Sequence, residues 1–138
     1  MAFTSQGENW TEADCEQWAQ SEDMSASRGC VVKLGSTAGQ VTLATNDGTE
    51  FPYGIVVKES ADSTAGTRVT ILPCASGKRC NVRASGATTI GDTQGFTTAG
   101  ESVTTTTDGD AYCGITMETG ADNSRTLVKL GAGFRGRA

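Results

Sequence analysis

The residues of this chain that could carry out chemistry are its cysteines and carboxylates, because the 138-residue sequence contains no histidine. Without histidine, Ser-His-Asp and Cys-His nucleophiles, histidine general bases and the common metal triads are all excluded. The cysteines are Cys15, Cys30, Cys74, Cys80 and Cys113, and no two form a Cys-x-x-Cys pair. Their spacing does not suit zinc and their odd number does not suit a disulfide framework, so we expect most of them to be small buried hydrophobic residues.

Three short motifs resemble binding loops but lack the required neighbours. Ser76-Gly77-Lys78 is not a phosphate loop, because Leu72 stands where a glycine is needed and Arg79 replaces the hydroxyl residue. Asn46-Asp47-Gly48 and Asp108-Gly109-Asp110 carry carboxylates, but without the alternating acidic spacing of a calcium loop. We interpret both as hairpin turns. The sequence therefore predicts neither an enzyme nor a cofactor or metal site.

Charge and hydropathy exclude two further classes of function. The net charge is −5 and no basic face is visible, which argues against nucleic-acid binding. No apolar run approaches the roughly 20 residues that a membrane-spanning helix needs. The sequence begins without a basic segment followed by an apolar one, so we expect folding in a cytoplasm and no membrane partner.

The elements that must position these residues are predicted to be short strands. Threonine and glycine are the commonest residues, and they favour strands and tight turns respectively. Apolar runs or alternation end at turn signals throughout the body of the chain. The sequence predicts an all-β fold, a compact sandwich or small barrel of antiparallel strands. The predicted strands are 30–34, 40–44, 51–58, 67–72, 79–84, 103–107, 112–117 and 126–130.

The two ends of the chain differ from this body. Residues 1–28 are polar and acidic, and a Thr11-x-x-Asp14 capping pattern that leads into Cys15–Ala19 is a helix-like signal, so we expect at most one short helix there. We interpret 1–28 as an extended N-terminal arm, 29–131 as the β-rich domain, and 132–138 as a flexible tail.

The arm and tail supply the candidate contact residues. Aromatic and arginine side chains are favoured at interface hot spots. The alternative for the two tryptophans is that they fold back onto their own domain. If the arm is free, Trp18→Ala should weaken binding and leave melting almost unchanged. The predicted contacts are Phe3, Trp10, Trp18, Phe134, Arg135 and Arg137.

An internal repeat is the most informative pattern in the body. The segment Tyr53–Asp62 is echoed by Cys113–Asp122, and both contain a Gly-Ile step followed by two further strand residues. Each segment continues into a second strand, Arg68–Leu72 in one case and Arg125–Leu130 in the other. We interpret the body as a probable duplication of one β-unit.

The order of these strands resembles a known family. The order of five segments resembles that in the DUF2190-like capsid cement proteins of tailed bacteriophages. These segments are Gly54-Ile55-Val56-Val57, the strand Arg68–Leu72, the Gly91-Asp92 step, a Thr-rich strand at Val103–Thr107 and a final Thr126–Leu130 strand. The resemblance covers roughly residues 30–131. It implies a non-catalytic homotrimer on the outer surface of the head that clamps neighbouring major capsid proteins.

Two other classes compete with this interpretation. A tail- or fibre-associated β-domain of the virion would share the composition, whereas a small ligand- or sugar-binding β-module would be a monomer with a concave aromatic site. A structural role suits a chain without catalytic residues, since symmetric assembly multiplies weak contacts and gives exposed strand edges a partner.

Overall fold

The computed structural model describes residues 7–44, 51–96, 100–104, 110–119 and 125–134. Strands dominate these ranges, which confirms the predicted all-β fold, and short 3-10 turns lie at Glu12–Asp14 and Cys74–Ser76. The strands are β1 (Glu16–Gln20), β2 (Val31–Leu34), β3 (Gln40–Leu43), β4 (Gly54–Lys58), β5 (Arg68–Pro73), β6 (Arg79–Val82), β7 (Thr93–Phe96), β8 (Ser102–Thr104), β9 (Ala111–Thr116) and β10 (Thr126–Phe134).

The first five strands close into a small barrel in the order β1-β3-β2-β4-β5. Strand β1 closes it by pairing in parallel with β3 and antiparallel with β5, with Trp18 opposite Val69. A closed barrel leaves none of its strands with a free edge. The interior is packed with Met24, Val32, Val41, Val56, Val69 and Ile71.

The last five strands form a second sheet in the order β6-β10-β9-β7-β8, and this sheet packs against the outside of the barrel. Strand β4 lies between the two cores: Val56 faces the barrel interior, while Ile55 and Val57 belong to the core shared with the second sheet. Burial on both faces explains why β4 reads as a continuous apolar run and not as an alternating strand. The shared core also contains Cys74, Cys80, Val82, Phe96, Cys113, Val128 and Leu130.

The two segments that are related in sequence form antiparallel hairpins with the same register. In the first, β4–β5, Ile55 lies opposite Leu72. In the second, β9–β10, Ile115 lies opposite Lys129, and these are the positions that match Ile55 and Leu72 in the repeat. The glycines at the start of each repeat, Gly54 and Gly114, both lie against the backbone of the partner strand.

The helix-like signal at Thr11 does not continue into a helix through Cys15–Ala19. The Thr11 capping box forms, and the Thr11 N–H donates to Asp14 Oδ2 (2.8 Å), but it starts only the 3-10 turn. Residues 16–20, which the sequence placed in the N-terminal arm, instead form the barrel strand β1. Pairing with two strands at once outweighs a local capping signal, which stabilises a short helix only marginally.

The remaining differences concern strands β7 and β8 and the two predicted turns. Strand β7 was not predicted, because Thr93-Gln94-Gly95-Phe96 has neither an apolar run nor a high content of β-branched residues. Strand β8 covers only Ser102–Thr104, and the rest of the predicted strand 103–107 lies outside the described residues. The predicted turn at Asn46–Gly48 and most of the turn at Asp108–Asp110 also lie outside them.

Candidate functional site

The five cysteines are free thiols and are placed as hydrophobic residues. Cys30, Cys74, Cys80 and Cys113 are buried, as predicted, and Cys15 is half-buried. Burial raises the pKa of the Cys113 thiol to about 12 and that of Cys30 to about 11. The pKa of Cys15 is raised as well, by burial and then by the nearby Asp14 and Glu12 carboxylates. The thiols are therefore protonated at neutral pH, and none is an activated nucleophile.

Two further kinds of site were searched for in the described part of the chain, a metal site and a membrane-spanning helix. Within these ranges, no group of three or more cysteine and carboxylate side chains could hold a metal ion. No helix in the same ranges is both long and apolar enough to cross a membrane.

Trp18 lies at one end of the barrel and joins a small polar and aromatic cluster. Its cross-strand neighbour on β5 is Val69, which belongs to the barrel interior. Because cross-strand neighbours share a face of the sheet, the indole packs against the barrel core. The indole N–H donates to Glu16 Oε1 (2.9 Å), and the Tyr53 hydroxyl donates to the same carboxylate oxygen. The rings of Trp18 and Tyr53 meet edge to face, with their centroids 5.3 Å apart.

The apolar surface continues from Tyr53 toward the end of β10. Tyr53, Leu34 and Phe51, together with Lys33, line a cleft of about 260 Å³. Leu34 and Phe51 are both 53% exposed, which is unusual for large apolar side chains that lie side by side. Phe51 also contacts Phe134, with ring centroids 5.8 Å apart. We call Trp18, Leu34, Phe51, Tyr53 and Phe134 the aromatic surface.

The aromatic surface has the composition of an interface core. It brings together four of the eight aromatic residues of the chain. Aromatic residues are enriched at protein–protein contacts, and exposed apolar patches of this kind mark binding sites. The aromatic surface is therefore the candidate functional site of the described structure.

Two of the sequence-predicted contact residues, Trp18 and Phe134, lie on the aromatic surface. Phe3, Arg135 and Arg137 lie outside the described residues. Sequence reasoning missed Leu34, Phe51 and Tyr53, because each adjoins an apolar run and was counted as part of a strand. The signal that could have found Phe51 is the following Pro52, which separates it from the hydrogen-bonded strand.

Trp10 lies away from the aromatic surface, where the N-terminal segment packs against the core shared by the barrel and the second sheet. It is half-buried against the shared core, and its indole N–H is buried without a hydrogen-bond partner among the described residues. It also borders an open cleft of about 740 Å³, which Arg28 and Lys58 line from the other side. The preceding residues cover the edge of β6, where the Asn81 N–H donates to Glu8 Oε2 (2.8 Å).

The structure changes the expected effect of Trp18→Ala. Because the indole packs against the barrel core and bonds to Glu16, its removal should destabilise the folded protein by about 2 kcal/mol, below the cost of truncating a fully buried tryptophan. Urea denaturation followed by circular dichroism measures this. Phe51→Ala is the matched control and should change stability by less than about 0.5 kcal/mol. If the two variants were equally stable, Trp18 would not stabilise its own barrel, and it would again be a candidate contact residue of a free arm.

The fold thus defines a class of all-β protein in which a small closed barrel carries a second five-stranded sheet. This fold is similar to that in the crystal structure of the N base of the head fiber gp8.5 of bacteriophage phi29, with a TM-score of 0.64 and 14% sequence identity. The similarity covers 85% of this chain and 92% of that chain. No family model matches the sequence and no curated protein matches it, so the resemblance to the DUF2190-like group stays a prediction.

Proposed function

We propose that this protein is a non-enzymatic structural component of a tailed-phage virion, attached to the outside of the head through its major capsid protein. The observation that carries the proposal is the fold shared with a phage head fiber base over 85% of the chain. The protonated thiols and the lack of histidine support a role without chemistry. The strand order that resembles phage cement proteins points to the same location.

Two forms of attachment are consistent with this proposal. A cement protein clamps neighbouring capsid proteins and strengthens the shell, as the sequence resemblance implies. A fiber base only anchors a longer appendage, and the similarity to the phi29 head fiber base favours this second form. The two differ in what happens to the shell: only cement should raise the temperature at which the head ruptures.

The aromatic surface is the part of the molecule that we assign to the capsid contact. Phe51 and Leu34 are exposed large apolar side chains, and the cleft between them and Tyr53 can receive one apolar side chain of a partner. Contacts of this kind concentrate binding energy in a few aromatic residues. Where several copies are linked on one shell, their contacts form together, and the overall binding is stronger than that of a single contact.

The test is co-sedimentation of the purified protein with expanded empty heads of the phage that encodes it. Wild-type protein should pellet with the heads and saturate at a fixed number of copies. Phe51→Asp should weaken binding by about tenfold or more, because a charge would be buried in the apolar contact. Ala75→Asp, at another exposed position on the 3-10 turn before β6, should bind as wild type.

Head melting then separates the two forms of attachment. A rise in the rupture temperature of decorated heads supports cement, and an unchanged temperature at full occupancy supports a fiber base. Failure of wild-type protein to bind expanded heads contradicts both. If neither Phe51→Asp nor Leu34→Asp weakened binding, attachment to the head would still be supported, but the assignment of the aromatic surface to the capsid contact would be wrong.

A further inference from the structure

The outer face of the second sheet carries a small apolar patch beside β10. Ile115 on β9 is 46% exposed, and Met117, just beyond the end of that strand, is 39% exposed. Ile115 and its cross-strand neighbour Lys129 face away from the shared core, because Thr116 and Val128, which alternate with them along the two strands, are buried. We call Ile115 and Met117 the outer patch.

The equivalent positions of the first hairpin are covered by the chain itself. In the internal repeat, Ile115 and Met117 match Ile55 and Val57. Ile55 and Val57 are buried, because the second sheet packs over them in the shared core. The described residues give the outer patch only part of such a cover, since both of its side chains remain more than one-third exposed.

The N-terminal segment reaches this same outer face at Gly7. The Gly7 backbone lies against the side chain of Leu127 on β10, so closely that an added Cβ would come within 2.7 Å of Leu127 Cδ2. Leu127 shares a face with Lys129, because it is two residues away on the same strand. The Gly7 carbonyl also accepts a hydrogen bond from Arg79 Nε (2.9 Å). The chain is therefore fixed on the outer face where its described part begins.

This entry point is only one strand away from the outer patch. The Met117 N–H donates to the Leu127 carbonyl (2.7 Å), so Met117 is the direct neighbour of the leucine that Gly7 contacts. Ile115 lies two residues further along, about 7 Å at the rise of a strand. Phe3 precedes Gly7 by four residues, which span about 13 Å when extended. The segment before Gly7 is therefore long enough to place Phe3 over the outer patch.

The chemistry of residues 1–6 also suits an apolar surface. Their sequence, Met-Ala-Phe-Thr-Ser-Gln, contains no charged side chain and begins with three apolar residues. No side-chain charge would have to leave water when this segment docks. An aromatic ring buries a large apolar area, and a methionine thioether makes favourable contacts with it. Phe3 is thus a suitable partner for Ile115 and Met117.

We infer that residues 1–6 continue from Gly7 across the outer face of the second sheet and that Phe3 covers the outer patch of its own chain. The N-terminal segment then does for the second hairpin what the second sheet does for the first. Phe3, which the sequence predicted as a capsid contact, has an intramolecular role instead. The inference concerns the purified protein and does not rest on the proposed function.

Methyl NMR of the purified full-length chain tests the inference, because the chain has only four isoleucines, Ile55, Ile71, Ile90 and Ile115. An aromatic ring shifts the signals of nuclei that pack against it. In wild-type protein, the Phe3 ring protons should show a nuclear Overhauser contact to the Ile115 or Met117 methyl group. Phe3→Leu should abolish this contact and shift the Ile115 methyl signal, while the Ile55 and Ile71 signals, which report the two buried cores, stay in place.

Phe51→Leu is the matched control, because it makes the same change at an exposed phenylalanine of the aromatic surface. It should leave the Ile115 signal unmoved. The absence of any Overhauser contact from Phe3 to the outer patch overturns the inference and leaves the patch for a different molecule. A contact that appears only between differently labelled chains in a mixed sample also overturns it, because the segment would then cover a second copy.

Discussion

Gly114→Ala should destabilise the protein by about 2 to 3 kcal/mol, although it adds a single methyl group. The added Cβ would overlap the carbonyl oxygen of Lys129 and the Cγ1 of Val128 on the facing strand. A backbone oxygen cannot rotate away, so the β9–β10 hairpin would have to separate at its centre. Gly54→Ala should act in the same way, because its Cβ would lie 2.6 Å from the carbonyl oxygen of Leu72.

The control for both is Gly131→Ala, on the same strand β10 as Lys129. A Cβ at this exposed position meets nothing within 4 Å. Its stability should change by no more than about 0.5 kcal/mol, measured by urea denaturation under the same conditions. If Gly114→Ala were as stable as Gly131→Ala, the close pairing of the two strands at Gly114 would be wrong.

Gln20→Met should destabilise the protein by about 2 to 3 kcal/mol, because a fully buried amide would be replaced by an apolar chain of similar length. The Gln20 amide nitrogen donates to the carbonyls of Asp62 (3.0 Å) and Thr64 (2.8 Å), and its oxygen accepts from the Met24 N–H (2.9 Å). Methionine removes all three bonds. The Asp62 and Thr64 carbonyls still accept from Ser60 Oγ and the Thr67 N–H, whereas the Met24 N–H, whose bond is the most buried of the three, loses its acceptor.

Gln17→Met is a matched control on the same strand. Gln17 is exposed and makes a single side-chain bond, to Thr70 Oγ1 (2.8 Å), so its replacement should cost less than about 0.5 kcal/mol. The loop around Asp62 should also become more sensitive to proteolysis in Gln20→Met alone. Similar stability of the two variants would show that Gln20 does not hold this loop.

The sequence by itself determined the fold class and the position of most strands. Strands β2, β3, β5, β6 and β10 begin within one residue of their predicted starts, because apolar runs and turn residues are local signals that do not depend on the rest of the chain. The burial of the cysteines was predictable for the same reason: without partners for metal binding or disulfide formation, a free cysteine behaves as a small hydrophobic residue.

Only the tertiary structure decided the role of β1. Its residues Glu16, Gln17 and Gln20 are polar, and the preceding Thr11 and Asp14 signal a helix. The strand forms because β3 and β5 both need a partner to close the barrel, and Gln20 is tolerated inside because the loop carbonyls satisfy its amide. Neither condition is visible in a local window of sequence.

The candidate binding surfaces also depend on the tertiary structure. Leu34, Phe51 and Phe134 are far apart in the chain, and they meet only because β2 and the end of β10 lie at the same end of the molecule. Ile55 and Ile115 are the same residue in equivalent hairpins, yet one is buried and the other exposed. The sequence determined that both positions are apolar, and the packing of the sheets determined which of them is buried, because burial depends on what lies against a strand and not on the strand itself.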